Sequence, residues 1–164
     1  RFATMQIYLL RHAIAEEPKP GVPDADRALT GEGVRKLRDI LRRARVGGLS
    51  PGQILTSPFR RARETAELAA KALDFAEPLL TTNSLVPSSV AQETWDEIRL
   101  YKGEPALLLV GHEPAMSHLT GFLLAVPELQ IDFKKGAMVR IDVPSLGPRP
   151  RGVLKWMLAP RLAG

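Results

Sequence analysis

The chain has 164 residues, 45% of them apolar and 25% charged, with a formal net charge of +5 and no cysteine. That length and balance predict one globular domain large enough to bury a core, not a disordered chain. The lack of cysteine excludes a disulfide framework, thiol catalysis and cysteine-held zinc.

Arg1 to Thr4 is followed by no long apolar stretch, so no secretory signal is expected. Met5 reads as the natural start, with residues 1–4 a non-native or disordered extension and residues 5–164 one domain. No apolar run approaches the ~20 residues of a membrane helix, and the expected location is the cytoplasm.

Gln6 to Leu10 is a short apolar run with strand character, and the Pro/Gly-punctuated stretch from Pro18 to Pro23 is an exposed loop. Thr30 is placed to cap a helix that Gly47-Gly48 end. In that helix Val34, Leu37, Leu41 and Ala44 recur at spacings of three and four, the mark of a buried stripe. Arg35, Arg38, Arg42 and Arg45 form the neighbouring stripe, a solvated basic face. Gln53 to Thr56 is a second strand, turned by Ser57-Pro58 into an alanine-rich helix reaching about Leu73. Pro78 to Leu80 begins a short strand or an extended link, and Ser89 to Tyr101 is helical with Val90, Trp95 and Ile98 as apolar points.

Ala106 to Val110 is apolar without alternation, as in a strand covered on both faces. A helix from Met116 to Leu124 is closed by Pro127, and Ala137 to Val143 and Val153 to Leu158 alternate like antiparallel strands. The sum is an α/β three-layer sandwich: a mostly parallel central sheet, helices on both faces, and a C-terminal antiparallel hairpin.

Three polar clusters stand at the ends of these strands: Arg11-His12, Ser57 to Arg61, and Gly111-His112. The carboxyl ends of parallel strands share one edge, where ligands bind, so the clusters converge there. They bring two imidazoles together with guanidiniums whose planar forks match phosphate oxygens. A neutral imidazole is also a competent nucleophile near neutral pH. The bland alternatives are a hydrogen-bonded structural His112 and a solvated helix start at Arg60, Arg61 and Arg63. Cations at a helix N-terminus oppose its dipole, which favours a working arginine there. His118 follows His112 by six positions, on another helix face, so a two-histidine metal site is not expected. No phosphate-binding or dinucleotide glycine pattern is present.

Leu10-Arg11-His12-Ala13 resembles the Arg-His signature of the histidine phosphatase superfamily, to which the cofactor-dependent phosphoglycerate mutases belong. Ser57 to Ala66 is similar to that family's second block, with the phosphate-binding arginine at Arg61 and Arg60 flanking it. Val110 to Pro114 is similar to the block carrying the second histidine. Asp24 to Gly33, with its Asp-x-x-Arg-x-Leu-Thr-x-x-Gly pattern, resembles the SixA-like phosphohistidine phosphatases, and Lys135-Gly136-Ala137 fits that branch.

The resemblance implies a phosphatase that works through a phosphohistidine enzyme intermediate. His12 is the nucleophile; Arg11, Arg61 and His112, the last protonated when phosphate is bound, stabilise the phosphoryl group; Arg27 is a peripheral phosphate or substrate contact that could as readily pair with Asp24 or Asp26. No metal or organic cofactor is required. The implied substrate is a phosphorylated protein, such as a histidine phosphotransfer protein, with a phosphate or other anion in the pocket. Mutases carry an acidic proton donor in a longer insertion; here Leu80 to Gln92 offers no carboxylate, leaving Glu16, Glu17 and Glu113 as substitutes. Rival readings are a broad phosphomonoesterase and a non-catalytic phosphoprotein-binding module. A nucleic-acid partner rests on net charge alone, with no aromatic platform beside it, and is not expected; neither is a membrane.

Overall fold

A computed structural model describes residues 3–164. Arg1 and Phe2 of the expected extension lie outside the described residues, and Ala3 and Thr4 are exposed. In chain order the elements are β1 (Met5–Arg11), α1 (Gly31–Val46), β2 (Gln53–Thr56), α2 (Arg60–Ala72), β3 (Leu80–Thr81), α3 (Ala91–Ile98), β4 (Ala106–Gly111), α4 (Ala115–Leu123), β5 (Met138–Val143), β6 (Val153–Leu158) and α5 (Pro160–Ala163). Short 3₁₀ turns form at Asp24–Asp26, Asn83–Leu85 and Arg99–Tyr101. No described helix is long and apolar enough to cross a membrane.

One sheet holds all the strands in the order β3-β2-β4-β1-β5-β6. β3, β2, β4 and β1 run parallel, while β5 is antiparallel to both its neighbours, β1 and β6. This is the three-layer arrangement and hairpin that the hydrophobic pattern predicts. β4 is buried at every position. Its Leu108 and Val110 face a core built with Leu37, Leu41, Ala62, Ala66 and Ala163, so α1, α2 and α5 cover that side. Leu107 and Leu109 face the other core, with Trp95, Ile98, Met116 and Leu119 of α3 and α4. Period-two alternation into two covered faces is why this strand reads as a continuous apolar run.

Thr30 caps α1 as expected, its Oγ1 accepting from the Gly33 N–H at 3.0 Å. Arg35, Arg38, Arg42 and Arg45 are exposed on the solvent side of α1. Arg42 pairs with Asp39 at 2.8 Å and Arg45 reaches Asp74 on the adjacent turn. The helix predicted from Ser89 is shorter, starting at Ala91 and tightening to a 3₁₀ turn after Ile98. Val90 precedes its first turn and is exposed, so it contributes nothing to the core. The short α5 has no counterpart among the predicted elements, because four residues carry no periodic signal.

α1 lies hard against the chain that leaves β1. The Thr30 N–H donates to the Ile14 carbonyl at 3.0 Å, and the Glu16 N–H donates to the Ala28 carbonyl at 2.8 Å. At Gly33 a Cβ would stand 2.3 Å from the Ile14 carbonyl oxygen, a distance no side chain can hold. Gly33→Ala ordinarily raises helix propensity by up to about 1 kcal/mol. Here the sign is expected to reverse, with a loss of about 1–3 kcal/mol, because backbone must move to admit the methyl. Urea denaturation of the wild type and variant reads this directly.

Candidate active site

His12 follows the last residue of β1, and His112 follows the last residue of β4. The strands are parallel neighbours with Arg11 opposite Gly111, so the two histidines leave the sheet side by side. The His12 N–H extends the ladder by donating to the Gly111 carbonyl at 2.9 Å, and the ring centroids are 5.1 Å apart. On its other flank, Gly136 donates to the Arg11 and His12 carbonyls at 3.1 and 3.0 Å. Gly136 sits at φ +79°, a conformation that glycine adopts without steric cost.

The His12 ring is 5% exposed, and its Nδ1 lies 2.7 Å from the Ala13 carbonyl oxygen. A carbonyl only accepts, so Nδ1 carries the proton and Nε2 keeps its lone pair. Nε2 is met by the Arg61 Nε–H at 3.4 Å. Burial first, then the charges of Arg61, Arg11 and Lys135, push the His12 pKa down to about 3, against the opposing Ala13 hydrogen bond. The ring is therefore neutral across the physiological range, with Nε2 free to attack an electrophile.

Arg61 sits in the first turn of α2 and is 4% exposed. Its Nη1 donates to the Asp24 carbonyl at 2.8 Å and its Nη2 to Asp24 Oδ2 at 3.1 Å. The guanidinium also stacks 5.2 Å from the Phe59 ring centroid. Asp24 is in turn gripped by Arg27, whose Nε reaches Oδ1 at 2.9 Å while its Nη1 donates to the Glu16 carbonyl at 2.7 Å. Burial raises the Asp24 carboxyl, but hydrogen bonds and charge from Arg27 and Arg61 outweigh this and hold it below its ordinary range. Thr65 ties α2 to β1: its Oγ1 accepts from the Ala13 N–H at 3.1 Å and donates to the Arg61 carbonyl at 2.7 Å. Glu64 accepts from the Leu29 N–H at 2.9 Å, fixing the loop that carries Asp24 onto the same helix.

Arg11 donates from Nη1 to the Phe133 carbonyl at 2.7 Å, and its buried Nε has no partner. Burial lowers its pKa, and the carboxylates of Glu113 and Asp132 oppose that shift. His112 is 1% exposed and shares a 2.8 Å hydrogen bond from Nε2 with Ser57 Oγ, while its buried Nδ1 has no partner. Burial, then His12 and Arg61, push its pKa down to about 3. The Phe59 ring meets His112 edge-on at 5.1 Å.

The structure thus brings Arg11, His12, Arg61 and His112 together. Arg27 stands one step back, holding Asp24. Arg60 points away, exposed and paired with Glu64 at 3.3 Å. Of the proposed substitute acids, Glu113 accepts from the Ser117 N–H and hydroxyl at 2.7 and 2.6 Å, at the start of α4. Glu16 and Glu17 are exposed, Glu16 pairing with Lys19 at 3.1 Å. Sequence reasoning gave Asp24 no part beyond a possible pairing with Arg27, and assigned no role to Thr65 or Ser57. Asp24 had a faint signal in its spacing of three from Arg27, but nothing local shows that it reaches a residue 37 positions away.

Both rings should stay neutral from pH 8 to 5, with His12 as the Nδ1–H tautomer; ¹⁵N NMR of the imidazole nitrogens checks this. Folded pKa values near 3 against about 6.5 in the unfolded chain mean that the unfolded state binds more protons between those limits. Stability should therefore fall as pH drops from about 6.5 toward 3. His112→Gln should make that fall shallower, as read by urea midpoints at pH 7 and 5.

The family model "Histidine phosphatase superfamily (branch 1)" matches residues 7–86. An uncharacterized protein of Picosynechococcus sp. (strain ATCC 27264 / PCC 7002 / PR-6) is 35% identical over 115 residues, 67% of each chain. Among solved structures, the protein histidine phosphatase SixA complexed with tungstate superposes with a TM-score of 0.85 at 21% identity, covering 96% of this chain and 98% of that one. A structure from Agrobacterium tumefaciens, provisionally described as a phosphohistidine phosphatase SixA, gives 0.80 at 25% identity, covering 97% and 99%. An alpha-ribazole phosphatase and a phosphoserine phosphatase share the fold at TM-scores of 0.74 and 0.68. The chain belongs to the histidine phosphatase superfamily, as a phosphatase with the fold of its SixA members.

Proposed function

We infer that the domain of residues 5–164 removes the phosphoryl group from phosphohistidine in a protein, with His12 as the transient phosphoryl carrier. The observation that carries this reading is the Nδ1–H···O=C bond to Ala13, which leaves a neutral Nε2 among cationic and hydrogen-bonding groups.

The His12 Nε2 lone pair attacks phosphorus in line as the P–N bond to the substrate imidazole breaks. The Arg61 Nε–H turns from Nε2 to a phosphoryl oxygen, while both its Nη atoms stay anchored on Asp24. Arg11 supplies a second guanidinium. The Ser57 hydroxyl donates to His112 Nε2, so that the Nδ1–H of His112 binds a third oxygen. These preorganised donors stabilise the charge on the equatorial oxygens of the transition state. Water then attacks the phosphohistidine, releasing phosphate and restoring neutral His12. Arg27 serves by holding Asp24 in place beside Arg61.

The substrate class follows from proton supply. Asp24 is the carboxylate bonded to Arg61, and two arginines keep it ionised, so it does not deliver a proton at neutral pH. An alkoxide leaving group needs such a proton, whereas the imidazole of phosphohistidine departs once solvent has protonated its free ring nitrogen. Preference for a P–N bond over an alkyl P–O ester is the consequence.

His12→Ala should abolish turnover, and acid-free quenching of the wild type should trap phosphate on His12. Arg61→Ala should cost on the order of 10²-fold or more in kcat/KM. Arg60→Ala should change stability by no more than about 0.5 kcal/mol and leave the rate intact. Label on another residue, or equal losses at the two arginines, would overturn the assignment.

A series of phosphate esters with rising leaving-group pKa, run beside phosphoramidate and a phosphohistidine protein, tests the substrate class. kcat/KM should decline steeply along the esters and be highest for the P–N substrates. A flat series, or faster turnover of sugar phosphates, refutes the P–N preference.

A further inference from the structure

A cleft of about 520 Å³ opens beside the catalytic residues, and Arg11 lines its wall. Its other charged lining residues come from three separate segments: Lys36 on α1, Asp132, Lys134 and Lys135 on the loop before β5, and Arg161 on α5. Five cations therefore face one carboxylate. Lys36 pairs with Glu32 at 3.0 Å and Lys134 with Asp132 at 3.1 Å, both at the surface where such pairs exchange readily. Lys135 and Arg161 have no ion pair among the described residues. Apart from Arg11, all five of these charged side chains are exposed.

The cleft and the catalytic residues are electrostatically continuous. The Lys135 charge depresses the His12 pKa, and Asp132 acts on Arg11. The opposite flank differs. There a hollow of about 310 Å³ is lined by Glu16, Glu17 and Asp26 against Lys19, Arg27 and Arg60, a balanced mixture. The excess of positive lining charge thus belongs to the first cleft and not to the second.

Arg11, His12, Arg61 and His112 suffice for the phosphoryl group, so cations beyond Arg11 are left for another part of the substrate. Lysines on flexible stems, spread around an open trough, do not make the convergent, planar donor set that would seize one small rigid anion. They suit several carboxylates held along an extended chain, which they attract over a distance near the Debye length. We propose that this cleft docks an acidic stretch of polypeptide flanking the phosphorylated side chain, and so selects among phosphoproteins. The proposal rests on a phosphorylated protein being the substrate.

The test uses two phosphohistidine peptides, one with aspartate and glutamate flanks and one with asparagine and glutamine flanks. A matching phosphotyrosine pair and free phosphoramidate are run in parallel. In low salt, kcat/KM should favour the acidic peptide by at least about tenfold, and the ratio should shrink toward unity in about 0.5 M salt. The combined variant Lys36→Gln, Lys134→Gln, Arg161→Gln alters only exposed positions outside the catalytic residues. It should bring the ratio within roughly twofold of unity and leave phosphoramidate turnover unchanged. Equal rates on both flanks, a preference that survives the triple variant, or a parallel loss on phosphoramidate would overturn the cleft assignment. If only the phosphotyrosine pair turns over, the phosphohistidine reading falls while its flank ratio still decides the cleft.

Discussion

Parallel pairing of β1 with β4, in the register that sets Arg11 opposite Gly111, is the constraint on which the site depends. Both strands are buried on both faces, and their side chains are divided between two cores that meet only through the sheet. A slip of one residue would exchange every side chain between those cores, so packing throughout the domain fixes the register. The two histidine rings inherit that precision, because each follows directly on the end of its strand.

The remaining charges are arranged around this pair in layers. Thr65 bridges the Ala13 N–H and the Arg61 carbonyl, so the helix carrying Arg61 is indexed against the strand that leads into His12. Asp24 holds the Arg61 fork, and Arg27 neutralises what Asp24 would otherwise place beside an anionic substrate. A guanidinium anchored in this way loses little conformational freedom when a phosphoryl group arrives. The cost is borne by the folded state: two imidazoles are kept neutral by burial next to arginines, and stability suffers as pH falls.

The same arrangement is the basis of the proposed leaving-group preference. A carboxylate clamped by two guanidiniums is a good anchor and a poor acid, because what holds it in position also keeps it ionised. Glu113 spends its oxygens on the start of α4. Under this reading the protein is a phosphate clamp with a nucleophile, and the substrate must supply a leaving group that needs little help.

Much of this was legible in the residues themselves. Period-two and period-3.6 patterns marked the main strands and helices, and the apolar run at Ala106 to Val110 identified the central strand. Three polar clusters at strand ends located the site, since parallel strands end on one edge whatever their order. What the sequence could not determine was anything that depends on distance across the fold. Asp24 and Arg61 are 37 positions apart, and only the docking of the loop on α2 through Glu64 brings them together. Local spacing left Arg27 as able to pair with Asp24 or Asp26 as to touch substrate, and the tertiary structure pairs it with Asp24. The tautomer of His12 was likewise open, because it is set by the course of the backbone at Ala13. The basic cleft draws on α1, the loop before β5 and α5, segments whose charges mean nothing together until the sheet has brought them beside Arg11. Sequence determines which residues can form such elements, through propensity and pattern. Which charges then face one another is decided by packing, because Coulomb and hydrogen-bond energies depend on separation in space and not along the chain.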